Sequence, residues 1–198
     1  MEESGELRGK LEETKKKKNE PQANANLQDF AQGMQAAGTG VSEGNHFDDE
    51  YKLKPDSSYE VNGYKYKTDS KGRIKSAEGT LRNVKKKDRE RNKIHQLEAG
   101  GTSRQSKDQG GHLIATRFGG SALIDNIVAM NGNVNVSAYK ILENSWAKAI
   151  DGGATVYVKI KPKFSGDSFR PDSFEIEQTI DGITQSFSLD NIKGAKTR

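Results

Sequence analysis

The 198-residue chain contains no cysteine. This absence excludes a disulfide framework and any chemistry that needs a thiolate, and it leaves only histidine and carboxylate side chains as ligands for a zinc site. The histidines His46, His95 and His112 lie far apart in the sequence. Disulfide-stabilised and thiol-dependent classes of protein are therefore excluded.

Apolar residues are also scarce. The hydrophobic fraction of 31% is low for a globular domain, so we expect part of the chain not to fold. No apolar run approaches the roughly 20 residues that a transmembrane helix needs. The segment Met1–Lys10 lacks the apolar centre of a signal peptide. We therefore expect neither a membrane segment nor a Sec signal in this chain.

The charge balance is weakly basic. Lysine and arginine number 32 and aspartate and glutamate 28, which gives a formal net charge of +4. This charge is compatible with an anionic partner such as nucleic acid but does not require one. The block Lys15–Lys18 has glutamates on both sides, so a solvated linker and a nucleic-acid patch both remain open.

The first 45 residues differ in composition from the rest. Pro21–Gly44 is rich in glutamine, asparagine, alanine and glycine and has few large apolar residues. So little buried surface cannot offset the conformational entropy lost on ordering. We predict a flexible leader or linker over residues 1–45 and one domain over residues 46–198.

Alternation of apolar and polar residues begins near Tyr51. Asn62-Gly63 predicts a tight hairpin turn between two such strands, and Thr155–Lys161 and Phe174–Ser188 alternate in the same way. The intervening segment Arg82–Leu97 is highly charged and precedes two glycines, which predicts a helix. These patterns together predict an α+β domain with an antiparallel sheet.

One histidine follows a pair of glycines. Gly110-Gly111 allows a close approach of the backbone, and the apolar run Leu113–Ala115 predicts a short buried strand. His112, at the mouth of this strand, is either a hydrogen-bonded core residue or a residue of a site. His95 lies in the charged segment and is predicted to be a surface or boundary residue.

A loop with three asparagines within five residues follows. Asn133 is predicted to cap a helix from Val136 to Ala149, on which Trp146 packs against the sheet. Asparagine oxygens are also hard ligands that suit Mg²⁺. The asparagines of this loop are therefore either helix caps or metal ligands.

These motifs resemble the DNA/RNA non-specific endonuclease family with a ββα-metal core, and especially its branch of toxin domains in bacterial secreted proteins of the LXG or type VII kind. The resemblance covers roughly 100–180 and is carried by Asp108–Ile114, Asp125–Val128, and Asn135 followed eight residues later by Glu143. Founding members of the family carry Asp-Arg-Gly-His. This chain has Gln109 at the arginine position and one additional glycine.

The resemblance implies a ββα-metal nuclease core in which the antiparallel sheet backs a catalytic helix. It implies that His112 is the general base, that Asn135 binds Mg²⁺, with Mn²⁺ as a substitute, and that Glu143 holds a water of the metal site. On one continuous helix Glu143 would lie about 80° around from Asn135, so water would have to bridge it to the ion. Arg104, or else Arg117, would replace the guanidinium missing at position 109. The expected substrate contacts are Lys107, Asp108, Gln109, Arg117 and Asn126.

The activity implied is hydrolysis of phosphodiester bonds in DNA, with RNA as a second substrate. The resemblance further implies secretion by the producing bacterium, action in the cytoplasm of target cells, and a cognate acidic immunity protein. Lys85–Arg91 is a further candidate for phosphate contact, which would make binding sensitive to salt. A nuclease for DNA uptake or scavenging, a non-catalytic nucleic-acid-binding module and a purely structural domain remain as alternatives.

Overall fold

The computed structural model describes residues 46–198, so the predicted leader and its lysine block lie outside the described residues. The strands are β1 Ser58–Val61, β2 Tyr64–Thr68, β3 Ile74–Thr80, β4 Asp108–His112, β5 Ile127–Asn131, β6 Val156–Lys163, β7 Ser173–Ile180 and β8 Ile183–Asp190. The helices are α1 Lys93–Glu98, α2 Gly132–Val136 and α3 Ala138–Asp151. Within this range no helix is long and apolar enough to cross a membrane.

Six strands form one antiparallel sheet in the order β1-β2-β3-β6-β7-β8, and β4 and β5 form a separate antiparallel ribbon. The predicted hairpin between β1 and β2 is present, and Asn62 and Gly63 both have the positive φ angles that such a turn needs, 55° and 81°. The ribbon and the helices α1, α2 and α3 lie between β3 and β6 in the described part of the chain. The predicted α+β fold with an antiparallel sheet is confirmed.

Helix α3 packs on this sheet through one apolar face. Tyr139, Leu142 and Trp146 are buried on that face, and the Trp146 indole nitrogen donates to Oε1 of Gln178 on β7 at 2.6 Å. The indole therefore buries its large apolar surface while its polar N–H keeps a partner. The prediction that Trp146 belongs to the core is confirmed.

The strand that carries the glycine pair begins earlier than predicted. Gly110 and Gly111 lie inside β4, and a side chain at Gly110 would come within 2.4 Å of the Gln96 Cα on α1. The glycine thus allows α1 to approach the ribbon closely, as expected. Leu113–Ala115 is buried but is not a strand, because the Leu113 N–H donates to the carbonyl of Asn126 and the chain turns away there.

The long charged helix predicted for Arg82–Leu97 is wrong. In this part of the chain only Lys93–Glu98 is α-helical. The helix begins after Asn92, whose side chain accepts hydrogen bonds from the N–H groups of Ile94 and His95. The preceding Lys85–Arg91 is exposed and offers no apolar stripe that a helix could bury. Without such packing a short helix is marginal in water.

The helix predicted for Val136–Ala149 is confirmed as α3. Two helices, α2 and α3, are separated at Ser137, whose backbone has φ −120° and ψ −91°. Asn131 caps the first of them by accepting from the Asn133 N–H at 3.1 Å. The cap predicted at Asn133 is therefore wrong, since its side-chain oxygen accepts from the Gly194 N–H instead. Because the helix is broken, the 80° relation expected for a continuous helix does not apply.

Strand β6 continues past the predicted stretch Thr155–Lys161 and through Pro162. The strand runs to Lys163, and Pro162 pairs with Phe174 of β7. The pairing of β6 with β3 extends only from Tyr157 to Ile160, so proline lies where β6 has a partner on one side. A residue without an N–H is tolerated in a strand at such a position.

Candidate functional site

The ribbon and the helices that follow it form a ββα unit. His112 is the last residue of β4 and lies opposite Ile127 on β5. The Tyr139 hydroxyl on α3 donates to the carbonyl of Leu113 at 2.8 Å, so α3 is tied to the residue next to His112. Glu143 lies one turn further along α3. The helix that carries Glu143 is therefore attached to the residue that follows His112.

His112 sits in an environment that favours a neutral imidazole. Burial, and to a smaller extent the positive charge of Arg91, lower the pKa of His112 to about 4, although the negative charge of Asp125 opposes both effects. Its Nε2 atom is buried and makes no hydrogen bond to any residue between 46 and 198. The ring is thus in its proton-accepting form throughout the neutral pH range.

The other two histidines lie around the loop of Asp125. His46 Nε2 is 3.0 Å from a carboxylate oxygen of the buried Asp125, and the His46 ring stacks on Tyr59 with centroids 4.1 Å apart. His95 is also buried, and its Nδ1 accepts from the N–H of Ile124 at 2.7 Å. The prediction of His95 as a surface or boundary residue is therefore wrong. The contact between His46 and Asp125 joins residues 79 positions apart, so no local sequence pattern indicated it.

Asn135 lies in α2, beside the exposed Gln109 of β4. The Asn135 amide nitrogen donates to Oε1 of Gln109 at 2.8 Å. In the described part of the chain the Asn135 Oδ1 atom forms no hydrogen bond, so this oxygen can accept a ligand. A single amide oxygen suits Mg²⁺, because this ion binds one or two protein oxygens and keeps several waters.

Glu143 is largely buried, with a carboxylate oxygen 2.9 Å from the Lys140 ammonium group. Burial raises the pKa of the neighbouring Tyr139, and the Glu143 charge also raises it. Among residues 46–198 no three His, Cys, Asp or Glu side chains are grouped to hold a metal. The residues present therefore fit a hydrated ion held by Asn135 rather than a carboxylate cage.

Arg104 is engaged by the backbone. Its guanidinium donates to the carbonyls of Gln96 and Ala99 at 2.9 and 3.0 Å, and to the carbonyl of Asp108 at 2.8 Å. These bonds join the C-terminal end of α1 to the start of β4. Arg104 thus stabilises the packing of α1 against β4.

Other basic side chains lie nearer to open surface. Arg117 donates to the Asn144 side chain on α3 at 2.8 Å, and its guanidinium stands 5.5 Å from the centre of the Phe118 ring. Lys107 is exposed immediately before β4, and Arg91 is exposed while its charge acts on His112. Arg91 was predicted only as part of a charged segment, because its nearness to the histidine depends on the fold.

Two predicted substrate contacts are inside the fold. The Asp108 carboxylate accepts two hydrogen bonds from Arg170, at 2.8 and 3.2 Å, and its side chain has 0% exposure. Asn126 has 0% exposure, and its amide bonds both the N–H and the carbonyl of Ile114. We correct both assignments, because neither side chain has surface that a substrate could contact. They position β4 and the loop after His112.

Comparison with known proteins places this geometry in a family. The chain is 41% identical over 138 residues to the type VII secretion system protein EssD of Staphylococcus aureus strains USA300 and NCTC 8325. The match covers 66% of this chain and 22% of each relative, so the chain spans a minor part of their length.

A solved structure described as an extracellular nuclease matches 70% of this chain and 90% of its own, with 18% identity and a TM-score of 0.42. The family model for the DNA/RNA non-specific endonucleases matches residues 55–182, which include the ribbon, all three helices and most of the sheet. The chain therefore belongs to the DNA/RNA non-specific endonuclease family.

Proposed function

We propose that the chain is a Mg²⁺-dependent endonuclease that hydrolyses phosphodiester bonds in DNA, with RNA as a second substrate. Membership of the family supports hydrolysis of nucleic acid. The observation that carries the mechanism is the buried His112 imidazole, with Nε2 free of hydrogen bonds to the described residues and its pKa lowered to about 4, at the end of the strand whose Gln109 holds Asn135. The β4–β5 ribbon thus supplies a neutral base, His112, and the following helix α2 supplies a free amide oxygen, that of Asn135.

His112 acts in this proposal as the general base. Its neutral ring accepts a proton from the attacking water, a role in which the base must be unprotonated at the working pH. When bound, a divalent ion supplies positive charge where negative charge develops on the phosphate. Asn135 would hold that ion through Oδ1, and Glu143 would accept hydrogen bonds from its hydration shell. Mn²⁺ fits the same hard oxygens.

Positively charged side chains would contact the phosphates on either side of the phosphodiester bond that is cleaved. The proposed contacts are Lys107, Arg91 and Arg117, together with the exposed amide of Gln109. For Arg104 we propose a positioning role. Its hydrogen bonds to three carbonyls hold β4, the strand that ends at His112, against α1. Arg91 is then the better candidate for the positive charge that founding members supply from position 109, since its charge lowers the pKa of His112.

Metal-dependent cleavage of plasmid DNA tests the function. We expect the purified chain to nick and linearise plasmid in Mg²⁺, to stop when EDTA is added, and to recover when Mg²⁺ exceeds EDTA. Cleavage that continues in EDTA would contradict the metal assignment. Retention of salt-sensitive DNA binding without cleavage in Mg²⁺ or Mn²⁺ would instead support a non-catalytic binding module.

The pH dependence of cleavage tests the role of Arg91. Since the base must be neutral and the pKa of His112 is about 4, kcat/KM should stay level from pH 8 to about 5.5 and fall below that. Arg91→Ala removes a positive charge that lowers this pKa, so the acidic limb should move to higher pH. An unchanged limb would contradict the influence of Arg91. Lys163→Ala, at the end of β6, is the matched removal of an exposed cation.

The named relatives support a wider context. Because they are type VII secretion system proteins, we propose that the chain is the nuclease part of a protein secreted by such a system. It would act in the cytoplasm of target cells, and its net charge of +4 suits an acidic immunity protein. Expression inside a bacterial cell should be toxic and should be relieved by that partner. A nuclease for DNA uptake or scavenging would show no such rescue.

A further inference from the structure

The hydrogen bond between Gln109 and Asn135 fixes the orientation of an amide. The two side chains come from different elements, 26 residues apart, and meet at 2.8 Å with Asn135 as the donor. A carboxamide is planar and carries a donor at one end and an acceptor at the other. Holding the nitrogen end of Asn135 therefore also fixes the direction of its oxygen.

Gln109 is itself held in place. Its backbone pairs with Met130 across the ribbon, and its amide lies over Gly132 at the start of α2. A Cβ at position 132 would be 3.2 Å from the Gln109 amide nitrogen and 3.0 Å from the Lys107 carbonyl. The Gly132 N–H donates to that same carbonyl at 2.9 Å. Because Gly132 has no side chain, the Gln109 amide can pack directly against the backbone at the start of α2.

We propose that Gln109 is a positioning residue that holds the Asn135 carboxamide with its oxygen directed to the divalent ion. The inference rests on the proposed function, in which Asn135 binds the ion. Without an anchor the terminal torsion of asparagine is broad and roughly two-fold, so the amide would present its donor end to the cation part of the time. Partners that orient metal ligands typically contribute about 10–100-fold to metal affinity.

The proposal also accounts for glutamine at position 109. Arginine, which founding members carry there, has only donors and cannot accept a hydrogen bond from the Asn135 amide. Glutamine is therefore not a weakened copy of that arginine. It does a different task at the same place, while a guanidinium such as that of Arg91 is left to serve the phosphate.

Binding of Mn²⁺ to the chain without nucleic acid, measured by titration calorimetry and electron paramagnetic resonance, tests this inference. Gln109→Met keeps the length of the side chain but removes the acceptor, and we expect the Kd to rise about 10-fold. Gln109→Glu keeps an acceptor oxygen and should bind Mn²⁺ at least as tightly as wild type. Gln185→Met is the matched control, because Gln185 also accepts from an amide side chain at 2.8 Å, on β8.

Cleavage assays add a second readout. In Gln109→Met the Mg²⁺ concentration for half-maximal rate should rise, whereas in Gln185→Met it should match that of wild type. Wild-type Mn²⁺ affinity in Gln109→Met, with affinity lost in Asn135→Ala, would overturn the inference and leave the proposed function intact. Wild-type affinity and cleavage in Asn135→Ala would overturn both. Within Asn135→Ala, adding Gln109→Met should change the residual affinity no further.

Discussion

Replacing His112 by alanine is expected to lower kcat/KM for DNA cleavage by about 10²–10⁴-fold, the range that a positioned general base contributes. The pKa of about 4 leaves this imidazole neutral in the neutral pH range, so alanine removes the group that accepts the proton. The fold should survive, because Nε2 makes no hydrogen bond to the described residues. Steady-state cleavage at saturating Mg²⁺ is the measurement, with thermal unfolding in parallel.

His95→Gln is the matched control for that experiment. His95 is also a buried histidine of the same region, and glutamine keeps an acceptor for the Ile124 N–H. We expect this variant to lower the melting temperature and to retain cleavage below its transition. Added imidazole should partly restore cleavage to His112→Ala but not to a variant that is merely unfolded. Equal rates for wild type and His112→Ala would contradict the assignment of the base.

Local patterns predicted much of the sheet. The hairpin at Asn62-Gly63 and the strands around β7 and β8 follow from alternation and from turn residues, whose conformations depend on near neighbours. Motif order also led to His112 and Asn135, because a family resemblance carries positional information that no single residue has. These features needed no knowledge of contacts between distant parts of the chain.

The errors arose where burial decides. Lys85–Arg91 has residues that favour a helix, yet it lacks a face to bury, so only the part after Asn92 is helical. Leu113–Ala115 is apolar enough for a strand, but the backbone of Leu113 and Ile114 bonds Asn126 rather than a neighbouring strand. In both cases tertiary contacts override the local preference.

Long-range polar pairs were beyond prediction altogether. Asp108 meets Arg170 across 62 residues, and His46 meets Asp125 across 79. A motif identifies Asp108 as significant without telling whether it faces substrate or core. The buried partner settles that question, since an ionised carboxylate with no exposed surface requires a cation beside it.

That pair carries the second large effect. We expect Asp108→Ala to lower the free energy of unfolding by roughly 3–5 kcal/mol, because it leaves the Arg170 guanidinium buried without its counter-charge. The guanidinium has 8% exposure and keeps only carbonyl partners, among them that of Asn191 at 2.7 Å. Urea unfolding monitored through Trp146 measures the loss. Glu175→Ala, which breaks a pair exposed by about half on both sides, should change stability by less than about 1 kcal/mol.

Removing both charges separates the buried ion from the lost contact. Asp108→Leu combined with Arg170→Met fills similar volume with apolar atoms and should recover much of the stability that Asp108→Ala loses. Arg170 precedes β7, whereas Asp108 begins the strand that ends at His112, so the ion pair joins the ribbon of β4 and β5 to the large sheet. Asp108→Ala should therefore also slow cleavage at temperatures where it remains folded. Unchanged stability in Asp108→Ala would mean that Arg170 finds water or another partner, and the proposed link between ribbon and sheet would be wrong.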